Sequence, residues 1–505
     1  MLTPTFTSKV LDFLNQQRVW ILFAVAGLLF VNLAWVIGTY LIYPGYLDHG
    51  EPSVALISWR LLEGFPAFPG FGEPAMVSNV YGPLTYVMHA VWFWFLGPSV
   101  MSGKAASLLA ALLVPVFVFL SHRAKGFEAA LIGAILAAGL VALHIPYSIW
   151  NRPDSFIALL VVIAVWAAND SDPDRLEWKK SAIIGLCGGL AVGMKIHAGV
   201  FFVPIAIFHC LNGNHGIKAF SLIAAVGLAA VLLPFALPVF PASNYLEWFG
   251  HFVGKENPAQ TVLRVVRYGL IYVTPMAIFL AARRWSRKRI PLAEKAYFWL
   301  YIISLVVILY PATKVGAGAH YFFPFLAIFI DQVLRHAHRV KKHRPRMWFG
   351  IGAVAAVILV LGIPVQKRFY RALHWEKVEA IQAEIRTIMA KHPDKTIEMG
   401  VGQNTATYPR TFYKTLLVLK GHPYTIDAAP AMEMTMMKIP LNDDLLSLLR
   451  GCSTDLWLIP KGEKPFAMTG YYGTPTVGQA FIDTFNASYA KAESLDHFDI
   501  WACEG

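Results

Sequence analysis

Long apolar runs alternate with short polar connections over the first 365 residues. They fall at roughly 19–43, 81–97, 104–122, 127–149, 153–169, 181–193, 196–210, 217–238, 264–282, 294–311, 318–334 and 347–365. Most are long enough to cross a hydrocarbon core about 30 Å thick, and a soluble fold has no use for so many in succession. The run at 19–43 is too long for a signal-peptide core, and no small-residue cleavage site follows it, so an uncleaved first helix is expected. From about Gln366 the pattern changes: charges recur every few residues and no run could span. There Ile397–Val401, Tyr424–Ile426, Leu456–Pro460 and Phe498–Ala502 read as strands. Trp375–Lys391, Tyr413–Lys420, Leu445–Leu449 and Val477–Asn486 read as helices. Alternation of the two predicts a small α/β domain over 366–505, after a membrane domain over 1–365.

Composition agrees with a membrane protein. Apolar residues make up 56% of the chain and charged ones 15%, against about a quarter in ordinary soluble proteins. The net charge of +12 does not signal nucleic acid, because no basic face is interleaved with exposed aromatics. The basic residues stand instead in clusters between apolar runs, where they orient helices. The densest are Arg283-Arg284 with Arg287-Lys288-Arg289, and Arg335, Arg339, Lys341-Lys342, Arg344 and Arg346; Arg175, Lys179 and Lys180 form a third, Arg123 with Lys125 a fourth. All fall on the cytoplasmic side if eleven runs cross and 81–97, with Pro83 and its bounding glycines, lies in plane or re-enters. The chain then reads as a multi-pass protein of the plasma (inner) membrane, with a cytoplasmic N-terminus, a long first outer loop (44–103), and a C-terminal domain in the periplasm or outside the cell. Five cations stay outside with no orienting role: Arg60, Arg152, Lys195, Lys255 and Lys314.

Cys187 and Cys210 lie in apolar runs and read as small core residues. Cys452 and Cys503 share the C-terminal domain, and in an oxidising compartment a disulfide between them is an open possibility. The absence of CxxC argues against structural zinc. GVGQNTA after the first expected strand only weakly imitates a phosphate loop.

The candidate chemistry sits at the outer ends of the runs. Asp48 and Glu51 directly follow the first helix, where a carboxylate can take a proton from an acceptor hydroxyl. Low dielectric nearby is expected to raise the pKa of a carboxylate placed there. Arg152 and Asp154 stand at the start of another run. Asp154 alone is explained as a helix-end acid, but an outside arginine at the lipid boundary suits a phosphate, which its planar fork binds bidentately. Lys195 and His197 lie at the junction of two short runs, where a charge is costly without a partner. Lys314, His320 and Tyr321 span the last short outer loop. For either lysine the competing reading is snorkelling to the interface. His49, Arg60, Tyr81 and Tyr321 are the candidate substrate contacts. Asp48, Arg152, Lys195 and Lys314 are expected to meet in one pocket: acids to activate a hydroxyl, cations to hold a phosphate leaving group.

At this point the chain resembles the GT-C glycosyltransferases, a superfamily that includes protein O-mannosyltransferases, the aminoarabinose transferase of lipid A and oligosaccharyltransferase catalytic subunits. The resemblance rests on YLDHGEPSVALISWRLLEG after the first helix, YGPLTYVMHAVWFWFLG in the first outer loop, NRPDSFIALLVVIA, GLAVGMKIHAGVFFVP and KVGAGAHYFFPFLAIF, in that order. It implies a GT-C fold, a polyprenyl-phosphate sugar as donor and inversion at the anomeric carbon. Asp48 would be the base, Asp154 its supporting acid, and Arg152, Lys195 and Lys314 the phosphate ligands. The chain departs from many relatives in having Asp48-His49 where they carry adjacent acids, and it lacks a DxD at the second site. No cofactor is therefore expected, with a divalent metal left open. The acceptor could be a glycan, a lipid or a protein. A lipid-linked polysaccharide ligase or polymerase shares donor and compartment but typically has its long loop late in the chain. A transporter or flippase would show internal repeats and mid-membrane charges. A non-catalytic assembly subunit would not need Asp48.

Overall fold

The computed structural model describes the chain except for residues 1–3, 78–80, 171–176, 214–215, 254–258, 286–288, 315, 342–346, 440–441, 471–472 and 505. Of the basic residues discussed above, Arg175, Lys255, Arg287, Lys288, Lys342, Arg344 and Arg346 lie outside the described residues.

Every apolar run carries a helix. The helices are α1 (Pro4–Ile42), α2 (Gly50–Leu62), α3 (Pro83–Leu96), α4 (Val100–His122), α5 (Phe127–Leu143), α6 (Asp154–Asn169), α7 (Trp178–Val192), α8 (Gly199–Asn212), α9 (Gly216–Leu232), α10 (Ala242–Val253), α11 (Ala259–Trp285), α12 (Leu292–Ala312), α13 (Leu326–Lys341) and α14 (Met347–Ala372). In hydrocarbon each backbone N–H and C=O must be bonded within its own segment, which leaves helix as the open choice. Among the described residues five stretches are long and apolar enough to cross: Gln17–Ile42, Val100–Lys125, Gly216–Ala236, Thr261–Leu280 and Leu292–Ala312. Shorter apolar helices cover Phe127–Leu143, Asp154–Asn169 and Ile196–Asn212. The chain is a polytopic helical membrane protein. Two helices lie between the apolar runs. One is α2. The other is the amphipathic α10, which buries Trp248 against Phe71 and donates its indole N–H to the Pro69 carbonyl at 2.7 Å.

Small residues let helices approach closely. A Cβ on Gly185 would fall 2.5 Å from the Ile223 carbonyl oxygen, and one on Gly189 would fall 2.3 Å from that of Gly227, so α7 and α9 meet backbone to backbone.

The two ends of α6 mark two polar layers. Its sixteen residues span about 24 Å. Asp154 at its start belongs to the cluster described below. Asn169 at its other end donates to the fully buried Asp331 at 2.8 Å. Asp331 also receives Lys125 at 2.6 Å and faces His122 at 3.3 Å and Arg335 at 3.2 Å. Arg335 in turn reaches Glu294 at 3.8 Å. Lys125 and Arg335, expected only to orient helices, thus tie α4, α6, α12 and α13 together at the end opposite Asp154.

The C-terminal part holds α15 (Trp375–Lys391), β1 (Ile397–Met399), α16 (Lys414–Val418), α17 (Ala428–Met436), α18 (Asp443–Arg450), β2 (Leu456–Pro460), α19 (Gln479–Ser488), β3 (Tyr489–Ser494) and β4 (Phe498–Cys503). The sheet order is β1-β2-β4-β3, parallel between β1 and β2 and antiparallel elsewhere. Two expectations are corrected. Tyr424–Ile426 is not a sheet strand, because its backbone partner is Met76 of the first outer loop. β3 was not expected because YAKAES is a polar edge strand carrying charge. Cys452 and Cys503 are disulfide-bonded, with Cα atoms 5.9 Å apart.

Inside this domain Glu398 of β1 is buried and accepts from Thr454 at 3.3 Å and from the Thr425 hydroxyl. Burial outweighs these bonds and pushes its carboxyl from 4.5 up to about 7. Folded protein therefore holds a proton there that unfolded chain has released. The stabilising contribution is complete below the ordinary carboxyl range and is lost as pH rises through about 7. Thermal melting of the full chain across this window is expected to show a falling midpoint, and Glu398→Gln should flatten that slope. An unchanged slope in the variant would place the proton elsewhere.

Candidate active site

The site begins where α1 stops. Pro44 and Gly45 end the helix, and the exposed carbonyls of its last turn are met by a buried cation: Lys104 Nζ of α4 donates to the oxygens of Tyr40 and Tyr43 at 3.1 and 2.7 Å. The chain then folds around Glu51, which is fully buried. The Glu51 carboxylate accepts from the Tyr40 hydroxyl at 2.7 and 2.8 Å and from the backbone N–H groups of Leu47 at 3.0 Å, Asp48 at 3.1 Å and Asn151 at 2.9 Å. Asn151 also donates its side-chain amide to the Glu51 carbonyl at 3.0 Å. A carboxylate so fully engaged organises the loop and has no oxygen left for proton transfer. Glu51 thus has the geometry of a positioning group rather than that of the second catalytic acid expected.

This knot sets two loops side by side. Asp48 Oδ1 accepts from the Gly50 N–H at 2.9 Å and from Arg152 Nη2, while Oδ2 faces His49 Nδ1 at 3.7 Å. Burial tends to raise the Asp48 carboxyl, but the Arg152 guanidinium, aided by His49, holds it below the usual value. The expectation of a raised pKa is corrected for Asp48, where the adjacent cation wins over the low dielectric, and holds for Glu51, which burial shifts upward. Asp48 is ionised at neutral pH and able to accept a proton.

A second pair, this one buried, lies beside the first. Lys195 Nζ donates to Asp154 Oδ1 at 2.7 Å, with the side chains 5% and 3% exposed. Tyr81 and Tyr321 flank this ammonium, with ring centroids 5.2 and 5.1 Å from Nζ. Tyr321 stacks on His197 at 4.4 Å, and His320 stacks on Tyr147 at 5.4 Å. Arg152 lies over the Trp150 indole at 4.7 Å. Arg152, Asp154 and Asp48 all act electrostatically on Tyr81, and Lys195, Arg152 and Asp48 on His320. Asp48, Arg152, Asp154, Lys195, Tyr81, His320, Tyr321 and His197 thus occupy one neighbourhood, with His49 at its edge. Four buried polar atoms there have no hydrogen-bond partner among the described residues: Trp150 Nε1, Arg152 Nε, Asp154 Oδ2 and His320 Nδ1.

The main charges acting on Arg152 and Lys195 come from within the two pairs and Tyr81. Lys314 Nζ lies 4.8 Å from the centroid of the Tyr310 ring. Arg60 donates to the Tyr424 carbonyl at 3.3 Å and covers the Phe65 ring at 4.4 Å, so it belongs to the seam with the C-terminal domain. Trp150 and Tyr147 were not singled out in the sequence, although two aromatics just before Arg152 were the available signal. Lys104 was hidden at the edge of an apolar run. Among the described residues no group of three or more His, Cys, Asp or Glu side chains could hold a metal ion.

The C-terminal domain is welded to the same loop. Asp427, paired with Lys414 at 2.6 Å, accepts from Ser53 of α2 at 2.5 Å and from Tyr424. Met76 exchanges backbone hydrogen bonds with Thr425 and Asp427 at 2.8 and 2.9 Å. One buried apolar cluster runs from Tyr46, Val54 and Phe68 to Phe412, Met432 and Phe481.

No family model and no curated protein matches the chain. Solved structures do. ArnT from Cupriavidus metallidurans, bound to undecaprenyl phosphate or in the apo state, superposes with a TM-score of 0.57 at 14% identity, over 94% of this chain and 97% of that one. The apo oligosaccharyltransferase of Archaeoglobus fulgidus superposes with a TM-score of 0.51 at 15% identity, over 89% of this chain and 70% of that one. The chain has the GT-C fold, a helical membrane region followed by a small domain with a sheet.

The Glu51 knot makes a stability prediction. Glu51→Ala strands three backbone N–H groups and a tyrosine hydroxyl, each costing about 1–3 kcal/mol when buried. Its thermal midpoint in detergent should fall well below that of Asp48→Ala. Equal midpoints for the two variants would mean that the knot does not hold the loop.

Proposed function

We propose that the chain is a membrane glycosyltransferase that moves a sugar from a polyprenyl-phosphate donor to an acceptor hydroxyl at the outer surface of the membrane. One observation carries the reading. Two acid–cation pairs, the part-buried Asp48–Arg152 and the buried Lys195–Asp154, lie at one helix-end layer beside unpartnered polar atoms. Buried polar groups without partners are rare unless a ligand completes them. The orphaned Arg152 Nε, Trp150 Nε1 and His320 Nδ1 are nitrogens that can donate to a phosphate. ArnT, which shares the fold, binds undecaprenyl phosphate. The Cys452–Cys503 disulfide fits an oxidising compartment, and the basic clusters favour a cytoplasmic opposite face.

The chemistry follows from the pairs. Asp48 Oδ2 takes the proton of the acceptor hydroxyl. The acceptor oxygen attacks the anomeric carbon as the bond to the phosphate oxygen breaks, inverting that carbon in one displacement. The polyprenyl phosphate leaves with the bonding electrons, and Arg152 and Lys195 stabilise its charge. Asp154 holds Lys195 in place, and Tyr81 and Tyr321 shield the ammonium from water. His49 faces the acceptor. No metal is required in this scheme. The sugar, and whether the acceptor is a glycan, a lipid or a protein, is set by groups beyond these.

Asp48→Asn is isosteric but cannot accept the proton. Sugar transfer from a polyprenyl-phosphate donor to the acceptors in a membrane extract should drop by roughly 10²–10⁴-fold, while undecaprenyl phosphate still binds. Lys195→Ala should instead weaken undecaprenyl phosphate binding by roughly tenfold. Full transfer by Asp48→Asn would remove the base and with it this reading.

A further inference from the structure

A cleft of about 700 Å³ opens beside Asp48, and its lining includes neither Lys195 nor Asp154. Its walls are the 43–49 turn after α1, the start of α15 and the 3₁₀ turn Tyr408–Tyr413. It lies where α1 and α14 end, so its floor is at the membrane surface. Its volume is that of a small-ligand site. Besides its tyrosines, the titratable side chains in its wall are Asp48, His49, His374, Lys377 and Arg410. Asp48 is already balanced by Arg152, which leaves Lys377 and Arg410 as surplus positive charge. Arg410 uses one nitrogen, Nη1, on the His497 carbonyl, and its fork retains other donors. Tyr43, Phe412 and Tyr413 give the cleft aromatic faces. Cations beside aromatic faces suit a sugar ring that carries a negative group.

We infer that this cleft binds the acceptor, and that the acceptor is an anionic saccharide whose carboxylate or phosphate is read by Lys377 and Arg410 while its hydroxyl points at Asp48. The inference rests on the transferase reading for its direction. Donor and acceptor then approach Asp48 from two sides, the phosphate on the Arg152–Lys195 side and the nucleophile from the cleft. The C-terminal domain supplies Arg410, so it takes part in choosing the acceptor. Free and lipid-borne saccharides share this chemistry.

The test is binding by the full-length protein in nanodiscs, with two pairs of probes. One pair is a soluble oligogalacturonate and a neutral galactose oligomer of the same length. The other is a glucuronosyl diacylglycerol and a neutral galactosyl diacylglycerol, offered in the nanodisc lipid. The charged member of at least one pair should bind roughly tenfold tighter, and high salt should weaken it. A preference confined to the second pair identifies a lipid-borne acceptor. Lys377→Gln combined with Arg410→Gln should abolish the preference, and Lys420→Gln, an exposed cation outside the cleft, should keep it. Should the double variant melt early, Lys377→Gln alone, at an exposed position, should still reduce the preference. Equal binding of charged and neutral probes in both pairs, or a preference that survives loss of Lys377 and Arg410, overturns the proposal. Binding does not depend on turnover. Failure of the transferase reading, seen as full transfer by Asp48→Asn, is therefore distinguishable from failure of the charge preference.

Discussion

A single buried carboxylate sets the geometry of this molecule. Glu51 gathers the end of α1 through Tyr40, the Asp48 turn through two backbone N–H groups, and the 151–153 loop through Asn151. Tyr40 lies 11 residues before Glu51 and Asn151 lies 100 after it, and each would be an unmet polar group at the edge of the bilayer without the others. Burial favours protonation of such a carboxylate, and Glu51 is indeed shifted upward even with its donors in place. Lys104 offsets part of this from α4 while bonding the last carbonyls of α1. The Asp48–Arg152 pair is a consequence of this knot: two loops that end helices are held so that their side chains meet.

The same loop leans on the C-terminal domain. Asp427 and Lys414 form a buried ion pair that would be costly if left incomplete, and Ser53 of α2 completes it. Arg60 and Met76 extend the seam, and the apolar cluster below it joins the loop to the sheet domain. The domain therefore forms one wall of the cleft beside Asp48, and its position is coupled to the knot through α2. The opposite layer, built on Asp331 with Lys125, Asn169 and Arg335, clamps α4, α6 and α13 at their far ends. Between the two layers the helices need only pack.

Much of the framework could be read along the chain, because a bilayer restricts the choices. Uninterrupted apolar runs have to be helical, and the bounds of α15 were visible because polar residues and apolar residues recur at helical spacing from Trp375 to Lys391. Asp48, Arg152, Asp154 and Lys195 could be singled out because each is a charge at the end of an apolar run. What escaped the sequence is partnership. Nothing in EPSVAL says that Glu51 will be filled by an asparagine backbone a hundred residues on, which is why it read as a second acid. Arg60 looked equivalent to Arg152 as an outside cation, yet it faces Tyr424. Lys125 and Arg335 read as orienting charges because Asp331 is a lone acid within an apolar stretch. β3 was passed over because an edge strand needs no apolar alternation.

The most direct measurement is a cryo-EM structure of the full-length protein with undecaprenyl phosphate. The account places the phosphate within hydrogen-bond reach of Arg152 and Lys195, beside Trp150 and His320, with Asp48 facing the side of the phosphate from which an acceptor enters. Phosphate density at the Asp331 layer, or anywhere out of reach of both Arg152 and Lys195, would contradict it.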